Sequence, residues 1–529
     1  MKELDLRIVA AAFFACMAPL PALAQAPQAA NLGKVHFPTS CAPQAQALFD
    51  RALAYQHSFW YRESFAGFQQ ALAADPRCAI AYWGIGQALL FNPFITTPQK
   101  NLADGLAAIE KGRALPAKTE RERDYVDTIH AYYRDHDKLD QATRMRAYLT
   151  ASEKLAQKYP KDDEAQIYYA LALGMAASPN DKTYANQLKA AAILEPISKR
   201  RPQHPGVAHY LIHVYDYPAI AQKGLPSAQR YAKIAPAAPH AQHMPSHIFT
   251  RVGYWQQSVV SNSMSAKSAK AQNEAQDQLH AMDYLVYAHL QMAQDKAARA
   301  VLDEAPNVTG NVAGFAAAFA LAAMPARYAI ERGDWSAAAA LTVRPSSFAQ
   351  VDAITHFARA LGAARTGKPE AAKADIARLG ELSEKLRQEK VLYWAEQVDI
   401  QKQVAQAWVL LAENKRDDAL AAMRAAADAE DRTEKHAVTP GPLAPARELL
   451  GDMLLATGNA KDALIAYETT LKKEPNRFNA HAGAAKAAMQ VANPVVARRH
   501  YARMAQIAAN ADTVRPDLAA ARAEIAVKR

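Results

Sequence analysis

The sequence predicts an all-α protein built as a solenoid of antiparallel helix pairs. Three observations carry this. The composition favours helix: hydrophobic residues make up 50% and glycine only 20 of 529 positions, with alanine abundant. A helical-hairpin pattern recurs at a spacing of 34 residues. No stretch alternates apolar and polar residues as a strand or hairpin would. A chain this long would make about three ordinary domains unless it grows lengthwise by repetition.

The first unit spans Ala45 to Cys78. Small or special residues fall at fixed places along it: Ala52 at position 8, Tyr55 at 11, Ser64 at 20, Phe68 at 24, Ala71 at 27 and Pro76 at 32. Small residues let two helices touch, the aromatic fills the gap, and proline ends the second helix. The pattern returns near the C-terminus from Ala444, through Gly451, Leu454, Ala463, Tyr467 and Pro475, and continues with Ala485, Ala488, Ala497 and Tyr501. A further unit runs through Ala326, Gly333, Trp335 and Ala338. Its turn, Gly333–Ala338, is similar to Gly458–Ala463.

These positions resemble the tetratricopeptide repeat family over most of the chain. The resemblance implies a right-handed superhelix of antiparallel helix pairs. It also implies a concave groove faced by positions 2, 5, 9 and 12 of each first helix, in which a protein or peptide partner binds. Irregular joins interrupt the array: the insertion Phe91–Lys100, a turn at Ser178–Lys182, a loop at Asn307–Gly314, and the proline-bearing Glu430–Pro445, expected to be a hinge. The expected organisation is a signal peptide over 1–24, an N-terminal array over 25–305, middle repeats over 306–430 and a C-terminal module over 431–529.

The apolar stretch Ile8–Met17 followed by Ala22-Leu23-Ala24 fits a secretory signal, which places the mature chain in the periplasm or outside the cell. It is too short for a membrane anchor and is followed by Pro19 and Pro21. No later segment is apolar enough to span a bilayer. Cleavage leaves Cys41 and Cys78, an even pair expected to form one disulfide in an oxidising compartment. The formal charge is +10, but the basic residues are scattered among acidic ones, which argues against a nucleic-acid face.

Histidine is distributed unevenly. Eight of 16 histidines lie between His204 and His289, in the runs His209–Tyr217, His240–Phe249 and Leu279–His289. Pro202 and Pro236 are 34 apart and both fit position 32, so repeats begin at Pro205 and Pro239. His209, His213 and Asp216 then take positions 5, 9 and 12, and His240, His243 and His247 take positions 2, 5 and 9. If the next repeat starts at Leu279, His280 and Asp283 take positions 2 and 5. The six histidines should therefore converge on one groove from adjacent helices.

That arrangement suits a transition metal. Two histidines at i and i+4 share a helix face, as His209/His213 and His243/His247 do. Imidazole suits Zn or Cu, with Fe also possible. Asp216 and Asp283 could ligate or could orient a ring. No glutamate sits beside a histidine pair as a ready base, and no phosphate-binding loop, dinucleotide fingerprint, nucleophile elbow or haem motif occurs. Six ligands also allow a two-metal site. One difficulty is Pro245, at position 7 of its expected helix, where proline either kinks the helix or marks a fresh start near Met244.

Other groove candidates are His57, Trp83 and Gln87, with Arg251 placed to hold a substrate carboxylate or phosphate. Isolated histidines, among them His356, His436, His481 and His500, read as surface or packing residues. The histidine runs are similar to those of a bacterial, signal-bearing subgroup of tetratricopeptide proteins. The expected function is metal handling or metal-dependent chemistry in the groove, with a non-enzymatic scaffold binding a peptide partner as the alternative.

Overall fold

The computed structural model describes residues 31–178 and 180–526; the expected signal peptide lies outside them. Among the described residues are 26 α-helices and no strand. Consecutive helices pack as antiparallel pairs that stack along the chain, the tetratricopeptide-type solenoid that the repeat pattern predicts.

Helix starts follow the local chemistry. Proline opens Pro43–His57, Pro205–Tyr215, Pro369–Gln388 and Pro494–Ile507, where its missing N–H costs nothing. Asp162 caps Asp163–Met175 by accepting from the backbone of Glu164 and Ala165. The small-and-aromatic pattern packs as its register implies. Phe68 lies against Gly84 of the next pair so closely that any side chain there would overlap its ring. Tyr467 is buried between Gly451 and Gly483 in the same way.

Cys41 and Cys78 form the expected disulfide, tying the N-terminal segment to the end of the first hairpin. The bridged positions are 37 apart. Replacing both with serine is expected to cost about 3–4 kcal/mol through the freed loop entropy of the unfolded chain. Thermal melts of this variant, and of the native chain with reductant, check it; an unchanged midpoint in both contradicts it.

The superhelix closes on itself. The turn between helices Ala460–Lys473 and Phe478–Gln490 docks on the middle of the chain: Trp255 Nε1 donates to the Asn476 carbonyl at 2.8 Å, and Asn476 Nδ2 donates to the Gly253 carbonyl at 3.0 Å. Further on, Asp512 accepts from the backbone N–H groups of Lys296 and Ala297, and Arg515 pairs with Asp295. Arg477, wholly buried, bridges Glu331 and Glu448. The apolar core runs without a break from Phe319 to Ala487, across the boundary expected at 430. No described helix is long and apolar enough to cross a membrane.

Residues 432–445 differ most from expectation. They do not form a hinge but a strap across the groove, between helices Arg416–Asp431 and Ala446–Ala456. Thr433, Glu434, Val438, Thr439, Leu443 and Ala444 are buried. A polar segment can be buried only if its backbone finds partners. Here Lys182 Nζ donates to the Thr433 carbonyl, Tyr393 Oη to the Glu434 carbonyl, and Arg327 to the Gly441 and Pro442 carbonyls.

Candidate metal centre

The six histidines converge beneath this strap. Helix Pro205–Tyr215 carries His209 and His213 one turn apart. The expected helix from Pro239 is interrupted: Pro239–His243 ends, and Pro245–Arg251 begins with proline in its first turn. Met244, between them, stays helical, so His240 and His243 sit on a short helix and still face the groove. The next contributor starts earlier than Leu279, as Ala275–Gln291, which carries His280.

The rings divide into two trios. His209, His213 and His240 bring one nitrogen each to within 4.8 Å of one another, and His243, His247 and His280 do the same. The trios adjoin: ring centroids lie 6.1 Å apart for His213–His247 and for His240–His243.

The hydrogen bonds fix which nitrogens are free. Asn262 Nδ2 donates to the Ser258 carbonyl at 2.8 Å, so its Oδ1 faces His243 and accepts from Nδ1–H at 2.6 Å. His247 Nδ1 lies 2.8 Å from Asp216 Oδ2 and donates to it. Both Nε2 atoms therefore carry lone pairs, yet they face each other at 3.0 Å. Two lone pairs repel at that distance unless a cation sits between them. Burial lowers both rings' pKa values, in His243 with help from neighbouring imidazoles and in His247 against the pull of Asp216, so an extra proton is disfavoured. Two nitrogens on one ion at about 2.0–2.1 Å are about 3.0–3.4 Å apart, which the pair matches.

In the other trio one ring is fixed in this way. His209 Nδ1–H donates to the His57 carbonyl at 2.7 Å, directing its Nε2 at His213 Nε2, 3.1 Å away. His240 Nε2 is buried with no hydrogen-bond partner. Burial, reinforced by neighbouring imidazoles, holds His209, His213, His240, His243 and His280 well below the usual histidine range. Neutral imidazole is the form that ligates.

Asp216 is the anchor behind the second trio. Besides His247 it accepts from Arg251 Nε at 2.8 Å and from the strap's Lys435 Nζ at 3.1 Å. Burial alone would raise its pKa; Lys435, Arg251 and His247 outweigh burial and hold it well below the carboxylate range. Lys435 is itself brought down to about 8 by burial, with Asp216 resisting.

Several expected site residues lie elsewhere. Asp283 is not with the histidines: its Oδ1 pairs with Arg327 Nε at 2.9 Å, and Arg327 in turn fastens the strap. Arg251 gives Nε to Asp216 Oδ1 and Nη2 to the Asp216 carbonyl, and its remaining Nη1 is buried away from the cavity walls rather than turned to a substrate. Trp83 is core, stacked among Phe37, Phe49, Tyr125 and Tyr168. Gln87 is buried and donates to Tyr148 Oη.

His57 lies behind the centre rather than in the groove. With Glu164 and His204 it forms a third cluster of metal-like spacing. Its nitrogens are all engaged, however. His204 Nδ1 accepts from Val207 N–H, so Nε2–H donates to Glu164 at 2.8 Å, and His57 bonds Glu164 at 3.0 Å and Tyr210 at 3.0 Å. Gly206 packs against this ring with no room for a side chain. The cluster holds the His57 carbonyl that orients His209.

The structure also adds residues. A cavity of about 480 Å³ opens over the histidines, with Phe59, Tyr61, Phe91, Phe94, Phe315 and Phe348 in its walls. Phe59 adopts a left-handed backbone (φ 54°), rare for an aromatic residue, and its ring lies 4.3 Å from His209. Phe94 stacks on His213 at 4.3 Å, so the insertion Phe91–Lys100 is a wall of the site. His436, read from sequence as a packing residue, comes from the strap and lines the cavity with Ala437 and Val438.

The chain matches no protein-family model and no curated protein. Among solved structures, it is similar to the yeast Tom70 (14% identity, 92% of this chain and 96% of that one, TM-score 0.29). It is also similar to the P58(IPK) TPR domain (11%, 92% and 100%, 0.21) and to a human IFIT1 dimer with m7Gppp-AAAA (11%, 86% and 95%, 0.33). These superpositions are too loose to carry an argument about function. The helix pairs define the class directly: a tetratricopeptide-type solenoid whose groove gathers six histidines under a strap of its own chain.

Proposed function

We propose that the chain is an exported protein that holds two transition-metal ions, each on three histidines, and uses them on a small molecule in the aromatic-walled cavity. The first ion takes His209, His213 and His240; the second takes His243, His247 and His280. The observation that carries this is the facing pair of unprotonated Nε2 atoms on His243 and His247. Ligand sets made only of imidazole suit copper or zinc. Three protein ligands leave a coordination position for water or substrate, and His213, His240, His247 and His280 all border the cavity. Bound there, the ions supply Lewis-acid or redox chemistry. The Cys41–Cys78 bridge supports an oxidising compartment. The scaffold alternative fits less well at this site, since the strap already lies where an extended partner peptide would dock.

Metal analysis of protein purified without a histidine tag tests the proposal. Wild type is expected to hold two ions of Zn or Cu per chain, and the His243→Ala/His247→Ala variant about one. Protein that binds neither added metal overturns it.

A further inference from the structure

One carboxylate in the cavity has no partner. Asp277 lies in the first turn of helix Ala275–Gln291, three residues before His280 and on the same face. It borders the cavity with His213, His240, His247 and His280. Nearby Glu274 is satisfied, accepting from Trp60 Nε1 at 3.2 Å and pairing with Arg62 at 2.9 Å. Asp277 makes no hydrogen bond or ion pair among the described residues. Burial, with Glu274 adding, pushes its carboxyl up to about 7. A half-buried acid that lines a cavity and has no partner from the protein is open to the donor of a ligand.

The rest of the cavity says what that is. Seven phenylalanine, tyrosine and tryptophan rings line it, which favours a flat, apolar body of ring size. Two metal ions held by neutral imidazoles leave the floor with uncompensated positive charge. That field disfavours an ammonium ligand and favours a neutral or electron-rich oxygen. We infer that the cavity takes a phenol, its ring against Phe59, Phe94 and Phe315 and its hydroxyl donating to Asp277, which makes Asp277 the residue that selects for the hydroxyl. This rests on the two-metal reading above.

The test uses zinc-loaded full-length protein, since zinc is redox-silent, and titrates phenol, anisole, cyclohexanol and benzylamine calorimetrically. Phenol is expected to bind at least tenfold more tightly than each of the other three. Anisole keeps the ring but loses the donor, cyclohexanol keeps the donor but loses the ring, and benzylamine adds a cation. Asp277→Ala is expected to weaken phenol at least tenfold, to erase the phenol–anisole difference, and to leave two zinc ions per chain. Asp277→Glu should restore part of the preference. Two zinc ions with equal binding of phenol and anisole, or with no effect of Asp277→Ala, overturns this inference alone. Tighter binding of benzylamine than phenol overturns the assignment of the ligand class. Failure to bind either zinc or copper overturns the two-metal reading and this inference with it; protein that takes only copper is titrated with the same ligands in its copper(I) form.

Discussion

Asp216→Ala is expected to destabilise the protein by about 3–5 kcal/mol, the range for breaking a buried ion pair from one side. The carboxylate holds two buried cations, Arg251 from the site's own helix and Lys435 from the strap, some 220 residues later. Removing it leaves both charges without their partner in a place water does not reach. It also frees His247 Nδ1, so the ring loses both its tautomer and its orientation. Metal affinity at the His243–His247–His280 centre should fall roughly 10–100-fold, the usual loss when a ligand's supporting carboxylate goes. The first trio does not touch Asp216 and should keep its ion. Asp216→Asn preserves shape and one acceptor and should cost less. Denaturation midpoints and metal titration check these outcomes; a fully loaded, equally stable Asp216→Ala protein contradicts them.

Arg327→Ala is expected to be comparably severe, at about 3–5 kcal/mol, by a different route. This wholly buried guanidinium joins Asp283 to the strap, donating to Thr439 Oγ1 at 2.6 Å and to the carbonyls of Gly441 and Pro442 at 2.9 and 3.0 Å. Asp283 already has its pKa raised by burial, with Arg327 opposing. Without the arginine it takes up a proton at higher pH, and the strap loses its deepest fastening. Hydrogen exchange across 432–445 should speed up, and a protease should cut there first. Arg327→Lys carries the charge but not the planar fork, so it should rescue only part of the loss. Unchanged exchange in the strap of Arg327→Ala contradicts this role.

These two residues also show where sequence reading stops. The histidines were legible because imidazole spacing and the 34-residue repeat coincide: Pro202 and Pro236 set one register for both runs. Proline chemistry likewise marked the interruption at Pro245, as either a kink or a fresh start. The division into two trios was not legible, because it depends on the angle between neighbouring helices. Arg251 and Asp283 were misplaced for another reason. Each is paired within a network completed by residues 435 to 442, and no local pattern links those positions. Trp83 sits at a groove position in the repeat yet faces the core, where a large aromatic gains most from burial. Asp277, a single acidic residue in a helix's first turn, looks in sequence like an ordinary favourable charge at a helix N-terminus.

The closure of the superhelix sets an order of events during synthesis. Simple repeat arrays rely on neighbours, so each unit is complete soon after it is made. Here all six histidines precede residue 281, while the strap that roofs them begins at 432 and the turn that locks the ring follows at 476. For roughly 150 residues of chain growth the groove stands open. Long-range contacts of this kind form late because loop closure must come first. The histidine groove is thus reachable early and enclosed last: its floor can form in an unfinished ring, and the last repeats shut it.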